Sequence, residues 1–332
     1  MNRKRGFKSW RAGSGAPSGQ SVIDVRFAVT FGICCILLYT LATWLPESLF
    51  EPLNRHTARM SACCLGPFGI HPALQGLTLS QDGFAVRVIT ECSVLYMGIL
   101  FFSFVIAYPI SLSRKLIGLA LGIPVLHAGN ILRIAAVFAI GLRKQNLFEF
   151  VHVYLGQVLM VLFVLAVCMA WLRAASPAAP RFTPAAFPVR FVAFSAIPFL
   201  VWLAINKEYV RLTDHLVTAL FALFDYRLEI PYQHEIYYQT FNVVTFVGLV
   251  LASRHRVMQR KLTALAAGLA AIVGIQVMFR ICNVMMTAFH NEPAIRLSMG
   301  ISLVGQYLAP VLLWLLMLRG EPGAKGGRQA PE

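Results

Sequence analysis

The stretch VLYMGILFFSFVIAYPISLSRKLIGLALGIPVLHAGNILRIAAVFAI, Val94 to Ile140, decides how this chain folds. It holds two apolar runs, 94–112 and 116–140, with the basic pair Arg114-Lys115 between them. About 20 apolar residues in an α-helix cover ~30 Å, the thickness of a bilayer's hydrocarbon core. A soluble helix buries one apolar stripe and keeps a charged face. Neither run carries such a face, so the pair reads as a hairpin that crosses a membrane twice and turns on a basic loop.

Outward from this hairpin the pattern repeats. Of 332 residues, 58% are hydrophobic and 13% charged, against about a quarter charged in a soluble domain. The spans read as 25–45, 94–112, 116–140, 151–172, 189–206, 240–253, 262–281 and 299–318, with an earlier start for the sixth within Tyr237-Tyr238-Gln239. The expected fold is an all-α polytopic membrane protein of about eight transmembrane helices. Val25–Leu45 is too long for the core of a signal peptide and no small-residue cleavage pattern follows it, so it reads as an uncleaved first span.

The formal charge of +15 would point to nucleic acid in a soluble chain. Its distribution argues otherwise. Arg3, Lys4, Arg5, Lys8 and Arg11, the pair Arg114-Lys115, and Arg254, Arg256, Arg260 and Lys261 fall on one side when the spans alternate. The positive-inside rule places that side, with both termini, in the cytoplasm. The basic loops are then orientation signals, and no nucleic-acid partner is expected.

The chain divides into a basic tail (1–24), a four-span half (25–173), a linker (174–188) carrying Pro177, Pro180, Pro184 and Pro188, a second four-span half (189–318) and a tail (319–332). Two long external segments are expected. The first, 46–93, has a helix-like stretch from Leu49 to Cys64 with Pro52 near its start. A hairpin signal follows, with Gly76-Leu-Thr-Leu-Ser and Phe84-Ala-Val-Arg-Val-Ile-Thr flanking Asp82-Gly83. The second, 207–239, has an amphipathic helix over Leu212–Phe224, then Leu228-Glu-Ile-Pro. The halves resemble each other: Arg133 precedes Gly156-Gln157 in one, and Arg280 precedes Gly305-Gln306 in the other. This hints at a parallel duplication, with chance the alternative because Gly-Gln is a common dipeptide. A duplicated second half would have lost chemistry, since Ile301 stands where His152 would and no cysteine lies near Gln239.

Three chemistry-bearing residues meet at one depth in this topology. Cys92 lies where the first external segment enters the second span, and His152 opens the fourth. Arg133, about 17 residues into a span that begins inside, has risen ~26 Å and lies near the outer interface. An ionisable residue within a span is costly and a functional candidate by default; the bland alternative is an arginine that snorkels. The second and fourth spans point their positive helix ends outward, which favours a thiolate at Cys92 and a neutral imidazole at His152. Arg133 is then available to pair with the thiolate, steady an oxyanion or hold a substrate carboxylate.

Other positions are weaker. Asn130, one turn before Arg133, either orients it or bonds between helices. Glu91 pairs with Arg133 or His152, or is a solvated carboxylate. His127 is expected in an interhelical hydrogen bond, and Tyr154 and Gln157 as packing residues. His71, His215, His234 and His290 read as loop histidines. Of seven cysteines, Cys34, Cys35, Cys168 and Cys282 lie in or near apolar segments as small hydrophobes. Adjacent Cys63-Cys64 are open to oxidation. No Cys/His spacing argues for a metal, and no cofactor is expected.

At Glu91-Cys92-Ser93, Gly129-Asn130-Ile-Leu-Arg133-Ile134 and His152-Val-Tyr-Leu-Gly156-Gln157, the chain resembles the exosortase/archaeosortase family. That family's pattern is a cysteine before one span, Asn-x-x-Arg in the next and a histidine opening the one after. One departure is Val94, where the family often has glycine two residues after the cysteine. The resemblance implies a bacterial inner-membrane cysteine peptidase or transpeptidase with its site outside the membrane. Its partners would be exported proteins ending in a short motif, an apolar helix and a basic cluster, together with a surface glycan or lipid acceptor. By that analogy Cys92 forms a thioester, His152 is base and acid, and Arg133 stabilises charge or positions substrate. Two rivals stand beside it: a transporter or lipid flippase, and an envelope polysaccharide polymerase or glycosyltransferase.

Overall fold

The computed structural model describes residues 25–175, 186–227, 229–230, 239–253 and 258–318. Both tails, most of the proline-rich linker, Leu228, His234, Tyr237-Tyr238, Arg254 and Arg256 lie outside the described residues.

The described chain is mainly helical. In order it forms α1 (Val25–Trp44), α2 (Glu51–Leu65), strands β1 (Ala73–Gln75), β2 (Thr78–Gln81) and β3 (Phe84–Arg87), then α3 (Leu95–Ala107) and α4 (Leu112–Arg143). There follow α5 (Phe148–Val153), a π turn over Tyr154–Leu159, and α6 (Met160–Ala175). The second half is α7 (Ala186–Ala222), α8 (Asn242–Ala252), α9 (Met258–Phe289), α10 (Glu292–Leu303), a π turn over Val304–Leu308, and α11 (Ala309–Leu318).

Among the described residues, six stretches are long and apolar enough to cross a membrane: Arg26–Trp44, Leu112–Arg143, Gln145–Ala175, Ala186–Ala222, Met258–Phe289 and Pro293–Leu316. The chain is a multi-pass membrane protein. The expected second and sixth spans differ from this pattern. Each is an apolar helix, but α3 has 13 residues and α8 has 11, which at 1.5 Å each reach only ~20 and ~17 Å. Pro109 forces Tyr108 into an extended conformation (ψ 131°), which ends α3. Most of both short helices is buried, as a helix break at membrane depth requires.

Close packing positions α4 within the first half. A Cβ at Gly118 would lie 2.0 Å from the Trp171 indole nitrogen, at Gly122 2.3 Å from the Phe101 ring, and at Gly129 2.2 Å from the Phe163 ring. These glycines let α3 and α6 approach the α4 backbone. At the turn, Lys115 Nζ donates to the Ile106 carbonyl (2.5 Å) and Arg114 to the Ala175 carbonyl (2.6 Å). The basic pair read as an orientation signal thus also caps the C-terminal ends of α3 and α6.

The 32-residue α4 is ~48 Å long and outruns a hydrocarbon core. At its far end Ile134, Ala135 and Phe138 pack with Ala58 and Leu65 of α2 and Leu79 and Val88 of the strand segment, forming a second small core. The expected hairpin is present, with Gln81 opposite Phe84. Asp82 and Gly83, at φ 49° and 79°, supply the two left-handed residues of a type I′ turn. A third strand, β1, pairs with β2; three residues were too short to announce it by alternation.

The second inter-span segment differs from expectation. The span 189–206 and the helix over 212–224 are one 37-residue helix, α7. The polar residues Asn206-Lys207-Glu208 end an apolar run, but none of them breaks a helix. His215 accordingly lies on α7 rather than in a loop.

Candidate active site

Cys92 closes the 3-10 turn Thr90–Cys92, three residues before α3 begins. Its N–H donates to Ile89 O (2.9 Å), and Ser93 N–H donates to Thr90 O (3.0 Å). Ser93 then caps the helix: its hydroxyl donates to Thr90 O (2.7 Å) and accepts from Leu95 N–H (3.2 Å). The turn is tied to α2 by buried Asn54, whose amide donates to the Thr90 hydroxyl (3.0 Å). The half-buried Cys92 is therefore held by a rigid backbone.

Two side chains from α4 meet at the Cys92 carbonyl. Asn130 Nδ2 donates to it at 2.9 Å and Arg133 Nη2 at 3.1 Å. Arg133 Nη1 also reaches the Gly156 carbonyl at a long 3.5 Å. A Cβ at Gly156 would sit 3.5 Å from that nitrogen, so glycine keeps the approach open. Arg133 thereby links the turn of Cys92 to the helix of His152, and the His152 ring lies within electrostatic range of its charge. The arginine holds the backbone of Cys92 rather than its thiol. Two polar atoms here stay buried without a hydrogen bond: Arg133 Nε and Asn130 Oδ1. Orphaned polar groups are expensive, and their grouping here leaves one donor and one acceptor available to a ligand.

His152 is not at the start of its helix, as a span beginning at 151 implied. The helix starts at Phe148, after a 3-10 turn over Gln145–Leu147. His152 lies in its second turn, stacked on the Phe148 ring at 5.5 Å. The helix-end field fades beyond the first turn, so ring stacking and the Arg133 charge, more than the dipole, define its setting. The π turn that follows contains Gly156 and Gln157, and such turns often mark functional positions.

Glu91 is exposed and has no ion pair among the described residues, so it does not pair with Arg133 or His152. His127 stacks on His56 at 5.4 Å and its buried Nδ1 lacks a partner, in place of the expected interhelical hydrogen bond. Tyr154 packs on Phe199 and shares a 3.0 Å hydrogen bond with Ser195. All seven cysteines, Cys63 and Cys64 included, are free thiols.

The second half repeats the frame with other side chains. Gln276, at the position of α9 that Asn130 holds in α4, reaches the Thr240 carbonyl (3.5 Å) just before α8. Lys261 reaches Leu251 O (3.5 Å) as Lys115 reaches Ile106 O. Each Gly-Gln lies in a π turn. Thr240 stands where Cys92 does, and its hydroxyl accepts from Trp202 Nε1 (3.0 Å) and from Asn206. Arg280, 1% exposed, is bound to Asp214 at 2.5 Å and to Asn283 at 2.9 Å. Sequence spacing revealed Arg280 and Gly305-Gln306 but not Asn54, Thr90 or Asp214, whose roles depend on contacts between distant segments.

A short helix behind a tied turn, a cysteine on that turn, and an arginine joining it to a histidine-bearing helix come together in the first half. The model of the transmembrane exosortase family matches residues 23–172, the stretch that supplies all three residues. Over that stretch, just under half of its length, the chain is similar to the exosortase family. No curated protein and no solved structure matches the chain.

Proposed function

We propose that the protein is an inner-membrane cysteine peptidase or transpeptidase that cleaves C-terminal sorting signals of exported proteins. The observation that carries this reading is Arg133. It grips the carbonyls of Cys92 and Gly156 while its Nε–H remains buried and unpaired beside the nucleophile. A guanidinium fixed in this way needs no reorganisation to meet charge that develops next to it.

In the proposed reaction His152 takes the thiol proton of Cys92, and the sulfur attacks the scissile carbonyl carbon. Arg133 donates to the resulting oxyanion. Collapse breaks the C–N bond, His152 returns the proton to the leaving amine, and a thioester remains on Cys92. A second nucleophile, water or a hydroxyl or amine of a surface acceptor, loses its proton to His152 and displaces the thiol. Asn130 holds the Cys92 carbonyl and is a positioning residue. The basic turn at Arg114-Lys115 lies in the cytoplasm in this reading, and from Leu112 to Asn130 the helix rises ~27 Å. That places the site close to the outer interface, where an exported substrate's signal emerges.

The test uses an exported reporter carrying a tail of short motif, apolar span and basic cluster that the wild-type enzyme processes. Cys92→Ala is expected to abolish processing while the enzyme still accumulates in the membrane. Normal processing by that variant would end the proposal.

A further inference from the structure

Tyr307 is the best-placed side chain of the second half that the reaction above leaves unused. It follows Gly305-Gln306 in the π turn Val304–Leu308, as Val158 follows Gly156-Gln157 in the first. Each turn also packs across the halves: the second-half turn meets α3 as well as α8 and α9, and the first-half turn meets α8 as well as α4 and α6. Tyr307 is the residue whose ring reaches the first half. Its ring lies 6.3 Å from the ring of Tyr96, one helical turn below Cys92. Its hydroxyl lies within electrostatic range of Arg133, Cys92 and Glu91.

The hydroxyl's bonding is what sets it apart. Tyr307 is 3% exposed, yet makes no hydrogen bond among the described residues. The ring is enclosed while the hydroxyl itself keeps some exposure, so an acceptor can reach it from outside the protein. Neighbouring Tyr39 instead donates to the Tyr96 carbonyl at 3.0 Å. A packing role alone would be filled by phenylalanine, and the equivalent first-half position is valine. A phenol within electrostatic range of Cys92 and Arg133, with no acceptor among the described residues, is a donor available to an acceptor that arrives with the substrate.

We propose that Tyr307 is a catalytic residue supplied by the second half, its O–H donating, alongside Arg133, a hydrogen bond to the substrate carbonyl oxygen as Cys92 attacks. The phenol keeps its proton throughout; it strengthens one hydrogen bond as negative charge collects on that oxygen. This rests on the reading of Cys92 as nucleophile. It also gives the second half, whose own site has Thr240 and a neutralised Arg280, a direct part in the chemistry.

The experiment compares wild type, Cys92→Ala, Tyr307→Phe and Tyr307→Val in membranes, with processing of the tripartite-tail reporter expressed per molecule of enzyme. Tyr307→Phe keeps the ring and is expected to lower the acylation rate ~10²-fold, while the rate at which a small alkylating reagent labels Cys92 stays within about twofold of wild type. Tyr307→Val is expected to lose at least as much. Processing by Tyr307→Phe within about twofold of wild type overturns the proposal, as does a loss that merely follows enzyme abundance or Cys92 alkylation. If Cys92→Ala is inactive and Tyr307→Phe is normal, only the tyrosine's role falls. If Cys92→Ala is active, the parent reading falls with it.

Discussion

Both side-chain hydrogen bonds to Cys92 go to its carbonyl oxygen, which leaves the thiol free to react while the backbone beneath it is fixed. Asn130 and Arg133 share that task unequally. Asn130→Ala removes one donor of two, a loss of ~1 kcal/mol, so processing per enzyme is expected to fall about fivefold. Arg133→Lys keeps the charge but loses the planar fork that spans Cys92 and Gly156 and the spare Nε–H. Its expected loss is ~10²-fold or more, and the two variants' rates on the same reporter check the order. A smaller loss for Arg133→Lys than for Asn130→Ala would contradict the role given to the guanidinium.

Among the elements, α4 carries the site and depends on how closely its neighbours approach. Gly118 leaves no space for a side chain against Trp171, whose indole N–H donates to the Arg114 carbonyl at 3.2 Å. Gly118→Val would push the indole away and open α4 from α6, costing ~1–3 kcal/mol or more. The expected result is reduced enzyme in the membrane with near-normal activity in what remains, read by quantitative blotting beside the reporter assay. The short α3 has the opposite dependence. It is fixed by Pro109 at one end and Ser93 at the other, so Ser93→Ala is expected to loosen the Cys92 turn and lower processing more than abundance.

Across the whole molecule, the two halves share a frame and differ in charge. Arg280 is buried with Asp214 as its ion-pair partner. Asp214→Ala would strand that charge, a cost of ~3–5 kcal/mol, and should sharply reduce membrane accumulation. Replacing both, Asp214→Leu with Arg280→Met, should restore accumulation and processing, because apolar pairs often substitute for buried ion pairs. Loss of processing in the restored double variant would assign the pair a functional part and favour a transport pathway. Orientation has its own measurement: a membrane-impermeant thiol reagent added outside should label a variant whose sole cysteine is Cys92. Labelling from the cytoplasmic side alone would invert the topology.

Apolar length and basic turns were enough to define a multi-pass helical membrane protein, because hydrocarbon thickness and charge placement act on each segment locally. The same local logic marked Cys92, Arg133 and His152, and it read the Asp82-Gly83 hairpin from its turn chemistry. It located α3 and α8 but not their shortness relative to a bilayer, since apolar composition does not reveal that a helix stops inside a bundle. It also divided α7, since polarity ends a hydrophobic run without ending a helix. Only the tertiary structure decided that Arg133 grips the Cys92 carbonyl, that Asp214 neutralises Arg280, and that the Tyr307 ring reaches the first half. Each of these joins residues far apart in the chain, and such contacts are set by how whole helices pack.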